Sequence, residues 1–271
     1  MDDDADARHH APVPRRLVLT TIVAALVSCA QGTPPAPSEA TSDATSAPRA
    51  RPTPPADIAA ARLLARGETL VAEAREPLLG VHAAPGTERP YMGLEAVNPW
   101  GQSLRLLVIR HATDEAGEIW LRIQLPIWPN GQAGWVAASD VRLAEADERV
   151  IVDLSERSLV RLREGRPVVR LPVAVGSTAT PTPPGRFFVW AKVDTDRPSG
   201  AYGSFILGLS GFSEAIEPWV EWPGQPRLAI HGTDDPGLAG QAVSKGCVRI
   251  LNSLLRRLRD VPMGTPVVIQ P

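Results

Sequence analysis

The chain has 271 residues, room for two modest domains plus extensions, and a net charge of −2 with no basic block, which excludes nucleic acid as a partner. Its two cysteines, Cys29 and Cys247, leave a disulfide between them as the lesser reading, because Cys29 ends a predicted export signal. Beyond residue 148 there is one histidine, His231, and one cysteine, Cys247, too few to fill a zinc shell; no metal or organic cofactor is implied.

Residues 1–29 read as that signal. Arg15-Arg16 supplies the charge, and Leu17 to Val27 is an uncharged, mainly apolar run too short to span a bilayer comfortably. It ends in Leu26-Val27-Ser28-Cys29, which resembles the bacterial lipobox; the resemblance implies that Cys29 is lipidated and becomes the mature N-terminus. Ordinary secretory cleavage, with Cys29 incidental, is the other reading. Either way the protein faces outward, on the periplasmic or cell-wall side, and in the first reading it is anchored to the membrane as a lipoprotein. Residues 30–56 are Ala, Pro, Ser and Thr with little apolar content, a tether that cannot bury enough surface to fold.

The first folded unit is expected over 57–147. Ile58, Ala61, Leu63, Leu64, Leu70 and Val71 recur at helical spacing, which predicts one helix or two short ones over 57–75. Strands are expected at Leu104–Ile109, Ile119–Leu125 and from Gly134 onward, with a turn at Pro129-Asn130-Gly131. Trp120 and Trp135 are read as core ahead of a ligand platform, and His82 and His111 as surface residues. The second unit, 148–271, is expected to be mainly β with one or two helices. An antiparallel meander runs through Val150–Ser155, Ser158–Leu162 and Val168–Val175, then a rigid loop Gly176–Gly185, then a strand from Arg186 to Trp190. Residues 196–224, rich in Gly, Ser and Pro and carrying Tyr202, are expected to be irregular and to flank a groove. Leu228–Ile230 is a short buried strand that delivers His231. Asn252 to Val261 is a helix with Asn252 as its cap, and Pro266–Ile269 closes the sheet.

The chemistry is concentrated in Ala229-Ile230-His231-Gly232-Thr233 and Val243-Ser244-Lys245-Gly246-Cys247-Val248-Arg249-Ile250. A lone Cys and a lone His in small-residue motifs suggest a thiol nucleophile with an imidazole base. A nearby His and a position shortly before a helix favour the thiolate. The N–H groups around Gly246 and Cys247 are candidates for an oxyanion hole, and Ser244 for a hydrogen bond that fixes the cysteine loop. Arg249 either binds a peptide carboxylate or pairs with an acid; Lys245 either favours the thiolate or sits on the surface. Tyr202 is a candidate wall or oxyanion donor of the groove. Asp234 and Asp235 are read as a solvated turn.

Three motifs carry a family resemblance. Val152 to Gly176 ("VDLSERSLVRLREG" to "VAVG"), Thr180 to Val189 ("TPTPPGRFFV") and the pair "HGT" and "SKGCVRI" together look like the L,D-transpeptidase catalytic domain, the YkuD family. Trp120 to Leu143 resembles the bacterial SH3-like domains found beside cell-wall enzymes, which bind wall polymer or brace their neighbour. The fold implied is a small SH3-like barrel followed by a β-rich catalytic domain. The family often has a second histidine where this chain has Lys245, a residue also seen there, so His231 is left as the base. The resemblance implies that the Gly232 carbonyl orients the imidazole in place of a triad acid. It also implies that Cys247 attacks the third residue of a peptidoglycan stem, releasing D-alanine, and that a second stem's amine takes the acyl group. Acylation by carbapenems at the same cysteine is expected. Hydrolysis on the same site, an L,D-carboxypeptidase, and a non-catalytic wall-binding lipoprotein are the alternatives.

Overall fold

The computed structural model describes residues 69–216 and 226–271. The expected export signal with Cys29, the expected tether at 30–56 and the start of the expected helix at 57–68 lie outside the described residues. Among those described, no helix is long and apolar enough to cross a membrane.

All the described residues belong to one compact unit, 52–271; its part expected as the first unit holds β1 (Leu70–Ala74), β2 (Leu78–Val81), β3 (Met92–Glu95), β4 (Arg105–Thr113), β5 (Ile119–Gln124), β6 (Ala133–Ala137) and β7 (Val141–Glu145). Five of these form an antiparallel sheet in the order β6-β5-β4-β1-β7, with β2 and β3 as a separate hairpin. Leu70 and Val71, expected to be helical, lie in β1 instead. Val71 pairs with Leu107 on one side and Ala144 on the other, and a ladder on both edges outweighs a weak helical periodicity. Trp120 and Trp135 are buried, as read. His82 is not the surface residue expected: it is buried edge-on to Trp120, at 4.9 Å between ring centroids, and meets Thr87 Oγ1 through Nδ1 at 3.2 Å.

The second unit comprises β8 (Glu148–Asp153), β9 (Ser158–Arg163), β10 (Arg166–Pro172), β11 (Val175–Gly176), β12 (Gly185–Asp194), β13 (Phe205–Phe212), β14 (Arg227–Thr233), β15 (Ala242–Ser244), β16 (Val248–Leu251), α1 (Asn252–Leu255) and β17 (Pro266–Gln270). Eight of them make one sheet, in the order β10-β9-β8-β17-β12-β13-β14-β16. The expected antiparallel meander holds for β8 to β10, but β17 runs parallel to β8 and β16 parallel to β14. Within the segment expected to be irregular, Phe205–Phe212 is a strand paired to both β12 and β14. The expected C-terminal helix is one α-turn continued by a 3-10 turn, Arg256–Leu258; Leu255, Leu258 and Val261 nonetheless enter the core, as their spacing required. Asn252 is the first helical residue and not the cap, and its side chain is used elsewhere.

The core of the second unit gathers Val150, Leu159, Phe205, Leu207, Ile230, Val248 and Ile250 against the helical turns. A second cluster joins the units: Phe188, Trp190 and Ala191 of β12 pack with Leu106, Leu121 and Val136. Side-chain amides of the first unit then bond the backbone of the second. Asn98 donates to Trp190 O, Gln124 to Arg186 O, and Gln102 both donates to Lys192 O and accepts from Lys192 N. These bonds satisfy backbone groups that burial would otherwise strand.

Below the sheet edge lies a buried ion pair. Arg161 and Glu148 are 3% and 5% exposed and share two hydrogen bonds of 2.7 and 2.8 Å; Arg163 adds two more to Glu148, and Asp260 takes one from Arg161 at 2.6 Å. So dense a set of charged bonds offsets the desolvation of two ions.

Candidate active site

β14 and β16 are parallel neighbours with Ile230 opposite Val248 and His231 opposite Arg249. Alternation along a strand sends Ile230, Val248 and Ile250 into the core and turns His231 and Arg249 to the other face. Cys247 immediately precedes Val248, so the same alternation puts it on the face of His231, beside Ala229. The imidazole is 4% exposed, and its Nδ1 lies 2.7 Å from the Gly232 carbonyl oxygen. A carbonyl only accepts, so Nδ1 carries the hydrogen and Nε2 keeps its lone pair. No hydrogen bond joins the Cys247 sulfur to the imidazole among the described residues.

The cysteine loop is held from three sides. Ser244, 1% exposed, donates from Oγ to Cys247 O at 2.6 Å and accepts from Gly246 N at 3.1 Å. Thr182 Oγ1 donates to Gly246 O and accepts from Gly176 N, each at 2.8 Å. Thr180 Oγ1 and Ser177 N both donate to Ser244 O at 2.9 Å. Gly246 itself sits at φ +107°, a conformation that favours glycine.

A second loop covers the imidazole. The Tyr202 ring centroid is 4.8 Å from that of His231, while Tyr202 remains 50% exposed. Gly232 N donates to Tyr202 O at 2.7 Å, and Asn252 Nδ2 donates to Gly200 O at 2.9 Å. The approach is close enough that a Cβ on Gly232 would lie 2.1 Å from Asn252 Oδ1 and 2.6 Å from Gly203 Cα.

Burial dominates the electrostatics. It lowers the His231 pKa to about 4, with the Arg249 charge in the same direction and the Gly232 and Ala201 carbonyls opposing. Burial also pushes the Cys247 thiol up, against a hydrogen bond with the Ala229 backbone and the charge of Arg249. The free site therefore holds a neutral imidazole and a thiol. This corrects the expected thiolate: β16 separates Cys247 from the helical turn, and α1 has four residues only, so no helix end faces the sulfur.

The structure brings His231, Gly232 and Tyr202 together, and likewise Ser244, Gly246 and Cys247; the two sets lie at neighbouring strands, and the Arg249 charge acts on both His231 and Cys247. Among the described residues Arg249 has no acidic partner, and its buried Nε has no hydrogen bond. Lys245 is exposed. Asp235 caps a short 3-10 turn by accepting from Gly237 N at 2.8 Å, as a turn residue does. Of the two expected oxyanion donors, Gly246 N–H is engaged by Ser244, which leaves that of Cys247. Sequence reasoning missed the part of Thr182; its signal was a hydroxyl set between two prolines in the rigid loop. It also missed Asn252, whose cap-like sequence context hid a tertiary role.

These residues fall within 147–269, the stretch that matches the model of a known family, YkuD, the L,D-transpeptidase catalytic domain. Two curated relatives carry the name "Putative L,D-transpeptidase YkuD". The one from Bacillus licheniformis is 35% identical over 124 residues, 45% of this chain and 66% of the relative. The one from Bacillus subtilis is 30% identical over 149 residues, 52% of this chain and 80% of the relative. The chain belongs to the YkuD family of L,D-transpeptidase catalytic domains. Among solved structures, the catalytic domain of an Enterococcus faecium L,D-transpeptidase acylated by ertapenem aligns at 22% identity and a TM-score of 0.34, over 46% of this chain and 97% of that one. A longer L,D-transpeptidase structure from the same organism aligns at 22% identity and a TM-score of 0.35, over 46% of this chain and 50% of that one.

Proposed function

We propose that this chain cross-links peptidoglycan stems by cysteine acyl transfer, with Cys247 as nucleophile and His231 as general base and acid. The observation that carries the reading is the bond from His231 Nδ1–H to Gly232 O, which leaves Nε2 as an acceptor on the face that Cys247 shares. At rest both groups are neutral. The thiol proton passes to Nε2 as sulfur bonds to the carbonyl carbon of the third stem residue. The carbonyl oxygen becomes anionic and takes the Cys247 N–H. As the intermediate collapses, the bond to D-alanine breaks, Nε2 returns the proton to the leaving amine, and a thioester remains. A second stem's amine then attacks the thioester, His231 accepts its proton, and the thiol is restored. Arg249, buried at Nε and without an acidic partner among the described residues, is suited to a substrate carboxylate or to the anionic intermediate. Tyr202 forms the wall of the groove over His231.

In this reading the first unit is an SH3-like brace for the catalytic sheet, and the protein works outside the cytoplasm, tethered through a lipidated Cys29 and the 30–56 segment. Intact-mass spectrometry after exposure to meropenem tests the chemistry. One adduct is expected on Cys247, lost in Cys247→Ala; an adduct that persists in that variant overturns the assignment. A tetrapeptide stem with and without an acceptor amine distinguishes transfer, which gives cross-linked product, from the hydrolysis of a carboxypeptidase.

A further inference from the structure

One turn of the first unit reaches the frame of the site itself. The Asn130 side chain treats Phe212 as a strand neighbour would: Oδ1 accepts from Phe212 N at 2.8 Å, and Nδ2 donates to Phe212 O at 2.9 Å. Nδ2 also donates to Glu214 Oε1 at 2.9 Å. Trp128 packs edge-on against the Phe212 ring, with centroids 5.9 Å apart. Arg227 lies over the other rings of this cluster, 3.7 Å from the Trp190 centroid and 4.3 Å from that of Phe212, and donates to Pro126 O at 3.2 Å.

Ser213, the next residue after Phe212, connects this grip to the chemistry. It is 2% exposed, its N–H donates to Pro226 O at 2.8 Å, and its Oγ is buried without a partner among the described residues. That oxygen lies 3.3 Å from the point where a Gly246 side chain would begin. Ser213 is thus the backstop of the residue before Cys247. Arg227 opens β14, the strand that carries His231. The Pro126–Asn130 turn therefore grips the end of β13 behind the nucleophile and the start of β14 below the base.

We propose that Asn130 is a positioning residue for the nucleophile: by fixing Phe212, it sets Ser213 against Gly246 and so places Cys247 relative to His231. The proposal rests on the acyl-transfer reading and goes beyond it, since it makes a turn of the first unit part of the support of the active site. A half-buried bridge that uses both ends of one amide fixes its partner strand, and small misplacements of a nucleophile are expensive in rate.

The test compares Asn130→Leu with Gln102→Leu in the full chain. Gln102 makes two bonds to the backbone of Lys192 in the same interface, away from Ser213. Both variants are checked for fold by circular dichroism at the assay temperature. The second-order rate of Cys247 acylation by meropenem is then measured, with alkylation by iodoacetamide alongside. Acylation is expected to fall about ten-fold or more in Asn130→Leu and less than about two-fold in Gln102→Leu. Alkylation is expected to rise in the first variant only, because a loosened loop uncovers the half-buried thiol. Asn130→Asp, which keeps the acceptor for Phe212 N–H and loses both donated bonds, is expected to fall between, and serves if the leucine variant does not fold. Equal acylation losses at Asn130 and Gln102, or none at Asn130, overturn the proposal. If the wild type takes no acyl group, the functional reading fails separately, and unchanged alkylation in the Asn130 variants then overturns the positioning role.

Discussion

Acid titration of His231 puts the site's electrostatics to a direct test. Burial holds its pKa at about 4, against an ordinary 6.5. At 1.36 kcal/mol per tenfold change in proton affinity, that gap corresponds to roughly 3 kcal/mol. Between pH 6.5 and about 4 the unfolded chain binds a proton at this residue and the folded chain does not, so stability rises with pH across that window. The contribution is complete above pH 6.5 and lost as the pH falls to about 4. Urea unfolding of the wild type and His231→Gln at pH 7 and pH 4 should therefore differ: the wild type loses roughly 3 kcal/mol more on acidification than the variant. The rate of meropenem acylation should keep its plateau down to an acid limb near pH 4, where Nε2 takes a proton and ceases to be a base. The His231 imidazole resonance, identified by its absence in the variant, should titrate with that limb. A limb and a resonance midpoint near 6.5 would refute the argument, because they would mean that the ring is solvated and not sealed beneath Tyr202.

Glu148→Gln leaves Arg161 buried with only Asp260 and the Arg257 carbonyl, and should destabilise the fold by about 3 kcal/mol in urea while acylation of the folded enzyme at pH 7 is unchanged. Burial alone would raise the Glu148 carboxyl, but the bonds and charges of Arg161 and Arg163 outweigh it and hold it low; Asp260, bonded to Arg161, is held at about 2. The stability these carboxylates supply is therefore present at neutral pH and disappears as the pH falls toward about 2, a loss that Glu148→Gln should diminish in acid unfolding. Thr182→Val keeps the shape but removes the bridge between Gly176 N and Gly246 O; about 1–3 kcal/mol of stability and a measurable part of the acylation rate should go with it. Gly232→Ala drives a methyl into Asn252 Oδ1 and the Gly203 backbone, and overpacking of about 1–3 kcal/mol should appear as faster hydrogen exchange in 196–204. Adding Asn252→Ala should not restore protection, because Gly203 Cα remains 2.6 Å from the new methyl.

The strands at 104–109, 119–125, 150–155 and 158–162 were readable because alternation and β-branched residues act locally. The motifs around His231 and Cys247 are likewise visible as runs of adjacent residues, whereas the parallel pairing of β14 with β16 that makes them neighbours is a property of the fold. β13 was hidden because its sequence, Phe205-Ile-Leu-Gly-Leu-Ser-Gly-Phe, carries small residues for a tertiary reason: a Cβ on Gly211 would lie 2.2 Å from the Phe187 ring. Its glycine marks close packing, not a loop. His82 has no local sign of Trp120, its partner 38 positions on, and so read as exposed. The protonation state of the site failed for a similar reason. Motif chemistry predicts an activated thiol, but burial, which only the assembled fold provides, outweighs it. Asn130 was recognised as a turn residue, yet only Gly131 there takes a positive φ; the asparagine's amide instead bonds a strand 82 residues later.

The place of β17 has a consequence for how the molecule is made. It comes after every other described strand in chain order, yet lies in the interior of the eight-stranded sheet, zipped between β8 and β12. Until the chain has run through Gln270, the β8–β10 ribbon and the catalytic strands share no hydrogen-bonded edge. Such late, long-range closure makes for slow folding and a partly assembled chain with two open seams. A chain made from its N-terminus thus has Cys247 and His231 in hand while the layer beneath them is still unsealed, so the sheet that frames the site is completed by the last described strand and not by the last residue of the site.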